Sequence, residues 1–110
     1  MDGFKSALLE VKQVLKGLYK DQLKKIILYG SYARGEQRQD SDIDLAIILE
    51  GNISTFKEID RIIDQIYDIE LKYNILISIH PISEKKFENE RNPFLLNVKE
   101  EGVFIYKNLI

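Results

Sequence analysis

GSYARGEQRQDSDIDLAIIL, residues 30–49, is the stretch on which the reading of this chain turns. Just before it, residues 24–29 (KKIILY) form a short β-rich run that ends at Gly30. Within it, a short helix starting near Ser31 and ended by Gly35 fits the Gly-Ser-Tyr-Ala-Arg-Gly sequence. Residues 36–41 are polar and read as a loop. Residues 42–49 read as a second strand with apolar side chains on both faces, as in a central, covered position.

Each part of this strand–turn–loop–strand unit has a physical use. Gly30 lacks a Cβ, so the backbone can turn sharply and a ligand can come close. Ser31 offers a hydroxyl where helix N–H groups point outward, an arrangement suited to phosphate. Asp42 and Asp44 are two apart on a strand, so their carboxylates project from one face. Paired carboxylates repel unless a divalent cation or solvent relieves them, and hard oxygen ligands suit Mg²⁺, which also grips substrate phosphates. A phosphate cradle facing a carboxylate pair is a site for a metal-bound nucleoside triphosphate. A lone Gly-Ser is usually only a turn, and a lone Asp-x-Asp is usually solvated. Both features together, ten residues apart, make chance a poor explanation.

Outward from this unit, the spacing predicts a helix over residues 2–20 with Phe4, Leu8, Val11, Leu15 and Leu18 on one stripe. After a turn at 50–53, Thr55 and Glu58 give a capping-box signal. A helix follows to about residue 72, with Phe56, Ile59, Ile63 and Ile66 on its apolar face and Ile62, Ile69 and Tyr73 widening it. Residues 75–79 (ILISI) read as a third strand and 83–91 as a short charged helix. Asn92-Pro93 then sets an N-cap and first helical position, Gly102 stops that helix, and 103–106 is a last strand. The order points to a small α/β layer of sheet and helices.

With 110 residues, no repeat and no Gly/Ser-rich linker, one domain over 1–110 is expected. Hydrophobic residues at 45% and charged residues at 31% argue against disorder. Cys 0 excludes disulfides and thiolate metal sites and fits a reducing, cytoplasmic location. A formal net charge of −2 argues against a dedicated nucleic-acid coat, and no apolar run reaches membrane-span length. No signal-peptide h-region is expected at the start. A P-loop NTPase is excluded, because no G-x-x-x-x-G-K-[ST] occurs. A phosphatase with an Asp-x-Asp nucleophile is disfavoured by chain length.

The 30–49 stretch resembles the signature of the minimal nucleotidyltransferases of the DNA polymerase β-like superfamily, and most closely the MNT antitoxins of HEPN–MNT toxin–antitoxin pairs. Gly30, Ser31, Asp42 and Asp44 match its Gly-Ser, ten residues, Asp-x-Asp pattern, and Arg34-Gly35 and Ser41 match family habits. The likeness extends to the final NPFLLNVKEEGVFIY segment. It implies a small mixed β-sheet flanked by helices, the polymerase β palm-like fold. It implies that Asp42 and Asp44 are catalytic and hold divalent ions, Mg²⁺ by expectation, and that Gly30, Ser31, Arg34 and Ser41 bind nucleotide. By the same resemblance, AMP passes from ATP to a tyrosine hydroxyl of a HEPN-domain RNase toxin, silencing it.

One departure stands out. The superfamily often carries a third carboxylate on a later strand, and Leu76 is expected to occupy that place, with Ser78 and His80 on its face. Two rival functions follow: a contact-only antitoxin that kept the fold, and a small-molecule nucleotidyltransferase. Arg34 could neutralise triphosphate charge or pair with Asp40, Asp42 or Glu36. His80, the only histidine, could be a polar strand-end residue or a substitute base. Tyr32 could pack through its ring or stack on a base.

Overall fold

The computed structural model describes residues 3–38 and 40–109. Helix α1 (Gly3–Tyr19) leads through a 3₁₀ turn (Lys20–Gln22) into β1 (Leu23–Tyr29). The short α2 (Ser31–Arg34), β2 (Ile43–Leu49), α3 (Thr55–Tyr73) and β3 (Ile77–Ser83) follow, then α4 (Glu84–Asn89), α5 (Pro93–Glu101) and β4 (Val103–Lys107). The strands form a mixed sheet in the order β3-β2-β1-β4. β1 is antiparallel to both β2 and β4, whereas β2 and β3 are parallel. A parallel pair needs a long crossover, and α3 supplies it.

Strand alternation divides the core. Ile43, Leu45, Ile47 and Leu49 of β2 point to the face covered by α1 and α3, where they join Val11, Leu15, Ile62 and Ile66. Ala46 and Ile48 point the other way, into a smaller cluster with Ile82, Phe87, Leu95 and Val98 under α4 and α5. Asp44 shares this second face but lies at its open end, half-buried. Central strands covered on both sides need apolar residues throughout, and this explains the IDLAIIL run.

Several expectations are corrected. The capping box at Thr55 does not form: Ser54 is the N-cap residue and its side chain makes no cap hydrogen bond. Glu58 instead accepts a 2.6 Å hydrogen bond from Tyr19 Oη and pairs with Arg61 at 3.2 Å, tying α3 to α1. The buried row of α3 is Glu58, Ile62, Ile66 and Ile69, so Phe56, at 81% exposure, and Ile63 face solvent. A polar member in the buried row shifts the apparent apolar stripe when apolar residues alone are followed. The third strand begins at Ile77 and runs through Pro81 to Ser83. Proline is tolerated because β3 is an edge strand with one side unpaired. The cap at Asn92 is as expected: its side chain accepts from the Leu95 N–H at 2.9 Å, with Pro93 opening the helix.

Candidate functional site

Residues from three strand ends meet at the open end of the second face. Gly30 ends β1 with φ 79° and ψ −158°, a conformation open essentially to glycine alone. A Cβ there would overlap the Asp44 carboxylate oxygen and lie 3.2 Å from its Cγ. β1 and β2 pair Tyr29 with Asp44, so the turn is delivered straight onto the acid. The Ala33 and Arg34 N–H groups close that turn on the Gly30 carbonyl at 3.1 and 3.2 Å. Ser31 opens α2, and Gly35 caps it in the left-handed region. With only four residues, α2 carries little dipole, so an anion there would rest on the Ser31 hydroxyl and the turn more than on helix charge.

Asp42 lies one residue before β2 and is exposed, whereas Asp44 is the second residue of the strand. Burial pushes the Asp44 carboxyl above the usual carboxylate range, the negative charge of Asp42 adds to that, and His80 and Arg34 oppose it. The two acids therefore feel each other, and a divalent cation between them would reverse both effects. Among the described residues no cluster of three or more His, Asp or Glu forms a ready metal cage. A two-carboxylate oxygen set fits a hard ion that keeps water and takes phosphate oxygens, as Mg²⁺ does.

Arg34 is engaged already. Its guanidinium donates to Glu36 at 2.8 Å and pairs with Glu101, at the end of α5, at 3.3 Å. The Glu36 hydrogen bond is the main reason its pKa is raised. Both ion pairs are solvent-accessible, so a polyphosphate can compete for the guanidinium. Ser41 Oγ accepts from the Arg38 N–H at 2.8 Å, which makes it a fastener of the loop that leads into Asp42. Tyr32 is stacked on Phe4 of α1, ring centroids 4.4 Å apart, so that ring face is not offered to a base.

The position beside Asp44 on β3 is Ser78, not Leu76. Leu76 precedes the strand, 65% exposed, where its carbonyl receives the Ile43 N–H at 2.9 Å. It lines a shallow cleft with Asp40, Ser41 and Asp42. The strand expected from residue 75 begins at Ile77, so Leu76 lies ahead of it and Ser78 is the residue paired with Asp44. His80 follows Ser78 on the same face and is exposed. Desolvation pushes its imidazole below the ordinary value, and Asp44 pulls it partly back.

Sequence reasoning missed Tyr29 and Phe94. Their rings and the His80 imidazole contact one another, at 5.4 Å for Tyr29–Phe94, 5.9 Å for Tyr29–His80 and 5.2 Å for His80–Phe94. Burial and the neighbouring Asp44 charge both raise the Tyr29 hydroxyl pKa. Tyr29 directly precedes Gly30, which was the available signal; Phe94 arrives from a separate helix and left none.

The chain matches the family model described as nucleotidyltransferase domain over residues 8–105. A Methanocaldococcus jannaschii protein, provisionally named a protein adenylyltransferase, is 40% identical over 101 residues, covering 91% of this chain and 95% of that protein. Among solved structures, a chain of a toxin–antitoxin complex with AMP-PNP superposes with a TM-score of 0.68 at 16% identity, over 93% of this chain and 74% of that one. A chain from the complex of tri-AMPylated Shewanella oneidensis HEPN toxin with MNT antitoxin gives 0.56 at 13% identity, over 93% and 73%. At these identities the structural likeness establishes the fold.

Proposed function

Because this chain belongs to the nucleotidyltransferase domain family, we propose that it transfers AMP from Mg²⁺-ATP to a tyrosine hydroxyl of a cognate HEPN-domain RNase toxin and so neutralises it. The observation that carries the reading is the contact of Asp44 with the Cβ-less face of Gly30, beside Ser31 and Asp42. The likeness to a protein named for adenylyl transfer, and to chains from toxin–antitoxin complexes, supports the choice of reaction and partner.

In this reading Asp42 and Asp44 hold the divalent ion, whose chemistry when bound is to neutralise the attacking and leaving oxygens of an in-line displacement. Gly30 lets a phosphate approach the backbone, and Ser31 donates its hydroxyl to it. Arg34 exchanges Glu36 or Glu101 for polyphosphate oxygens. Ser41 holds the loop so that Asp42 is presented beside Asp44. A site with two acids supplies less charge than one with three, which keeps one alternative open: neutralisation of the partner by contact alone.

The test incubates the purified chain with its HEPN partner, Mg²⁺ and α-labelled ATP. Label on a partner tyrosine, lost in Asp44→Asn, is expected. Background labelling together with full neutralisation of the RNase would establish the contact-only alternative instead.

A further inference from the structure

The Asp44 face has two flanks. On the β1 side lie the Gly30 turn and Ser31, the phosphate-binding side of the proposed reaction. On the β3 side, beyond Ser78, opens a cleft of about 330 Å³ walled by His80 and Phe94, floored by Ile53 and Leu95, and rimmed by Ser83 and Asn92. We propose that this cleft is the acceptor subsite and takes the aromatic ring of the acceptor tyrosine against the wall formed by His80 and Phe94. The inference rests on the adenylyl-transfer reading and adds to it where the acceptor binds and by what chemistry.

Three observations carry it. The first is position. In an in-line displacement the attacking group and the leaving pyrophosphate lie on opposite sides of the phosphorus. With phosphates on the β1 flank of Asp44, the attacker approaches over β3, where His80, two residues along from Ser78, stands at the near end of the cleft. The phenolic oxygen bonds to the α-phosphorus as the bond from that phosphorus to the α–β bridging oxygen breaks. Pyrophosphate leaves with the electron pair, and the phenolic proton passes to water.

The second is size and lining. A cleft of about 330 Å³ is at the small end of ligand pockets and has room for one ring system. Of its polar lining, which also includes Thr55 and Lys86, Ser83 and Asn92 cap helices. Ser83 Oγ accepts the Lys86 N–H at 3.2 Å, and Asn92 Oδ1 accepts the Leu95 N–H at 2.9 Å. The carbon ring of tyrosine needs only apolar contact, which Phe94, Leu95 and Ile53 supply.

The third is rigidity. His80 and Phe94 lean on each other at 5.2 Å, and both lean on Tyr29, the register partner of Asp44. An aromatic wall braced from behind loses little freedom when a further ring packs against it. His80 is exposed, so its ring is accessible.

His80 is the single histidine of the chain, so its imidazole proton signals report on this cleft without ambiguity. Titrating the apo protein with N-acetyl-tyrosinamide is expected to shift those signals in a saturable way, and Phe94→Leu to weaken the effect. N-acetyl-serinamide and adenosine are expected to leave them in place. A saturable shift with adenosine but not tyrosinamide assigns the cleft to the nucleoside and overturns the proposal. No shift with tyrosinamide up to its solubility limit overturns it too. In transfer assays with the HEPN partner, Phe94→Leu and the exposed His80→Gln are each expected to raise KM for the partner about tenfold with KM for ATP unchanged. If the native chain labels its partner and both variants keep the native KM, this inference fails while the transferase reading stands. If the native chain labels no partner, the transferase reading fails and takes the inference with it.

Discussion

Asp44 on β2 lies against the bare Cα of Gly30 at the end of β1, at a point where the backbone has φ 79° and no side chain could be accommodated. The acid and the turn are one device: the turn must be glycine for the carboxylate to stand where it does. Gly30→Ala is therefore expected to cost about 1–3 kcal/mol of stability, from backbone strain together with overlap, and to abolish ATP binding. Thermal melting and nucleotide titration check both. The double variant Gly30→Ala/Asp44→Ala should recover the overlap part of the cost and keep the backbone part. Full recovery would show that the positive φ is not strained.

Asp44→Asn is expected to lower Mg²⁺-ATP affinity by at least about tenfold while leaving the fold intact. The pH dependence has a definite sign. A carboxyl whose folded pKa is raised favours the folded state when protonated, so its contribution is lost as pH rises from the usual 3.8 through the higher folded value. At neutral pH the apo Asn variant should melt no lower than the native protein and should lose this dependence. A clear fall in its melting temperature would mean that Asp44 stabilises the apo fold.

The imidazole of His80 should titrate below its ordinary 6.5, because partial desolvation of the ring disfavours the cation although the residue as a whole is exposed. Asp44 opposes that depression, so Asp44→Asn should move the midpoint lower still. A depressed folded value makes protonation unfavourable to the fold. The associated stability is complete above 6.5 and declines as pH falls toward the folded value. A midpoint at or above 6.5 in an NMR titration would contradict this placement of the ring.

Restoring a third acid distinguishes two positions. Ser78→Asp puts a carboxylate beside Asp44 in register, whereas Leu76→Asp puts one outside the strand, near Asp42. Calorimetry with Mn²⁺ alone is expected to show affinity raised about tenfold for Ser78→Asp and little changed for Leu76→Asp. The reverse order would return the site to the Leu76 side.

Tyr19→Phe leaves the buried Glu58 with Arg61 as its remaining side-chain partner and should cost about 1–3 kcal/mol in chemical denaturation. Tyr19→Phe/Glu58→Leu should recover much of that loss, since replacing both partners of a buried polar pair with apolar groups is close to neutral. An additive loss would show that Glu58 supports α3 independently of Tyr19.

Local chemistry was legible without the structure wherever neighbours along the chain decide the outcome. Gly30 and Gly35 bracket a four-residue helix, Asn92 and Pro93 start another, and the doubly apolar 43–49 run is central in the sheet. The pairing of a glycine turn with Asp-x-Asp was likewise written into residues 30–44, because both lie at the joined ends of antiparallel neighbours. Tertiary structure alone decided what crosses between elements. Glu58 occupies a buried row because Tyr19, 39 residues away, donates to it. Arg34 is held by Glu101 from the far end of α5. Ser78, not Leu76, stands beside Asp44 because the parallel register of β2 and β3 is set by where α3 ends and which side chains the sheet buries, and a strand pattern of period two cannot distinguish a slip of two residues.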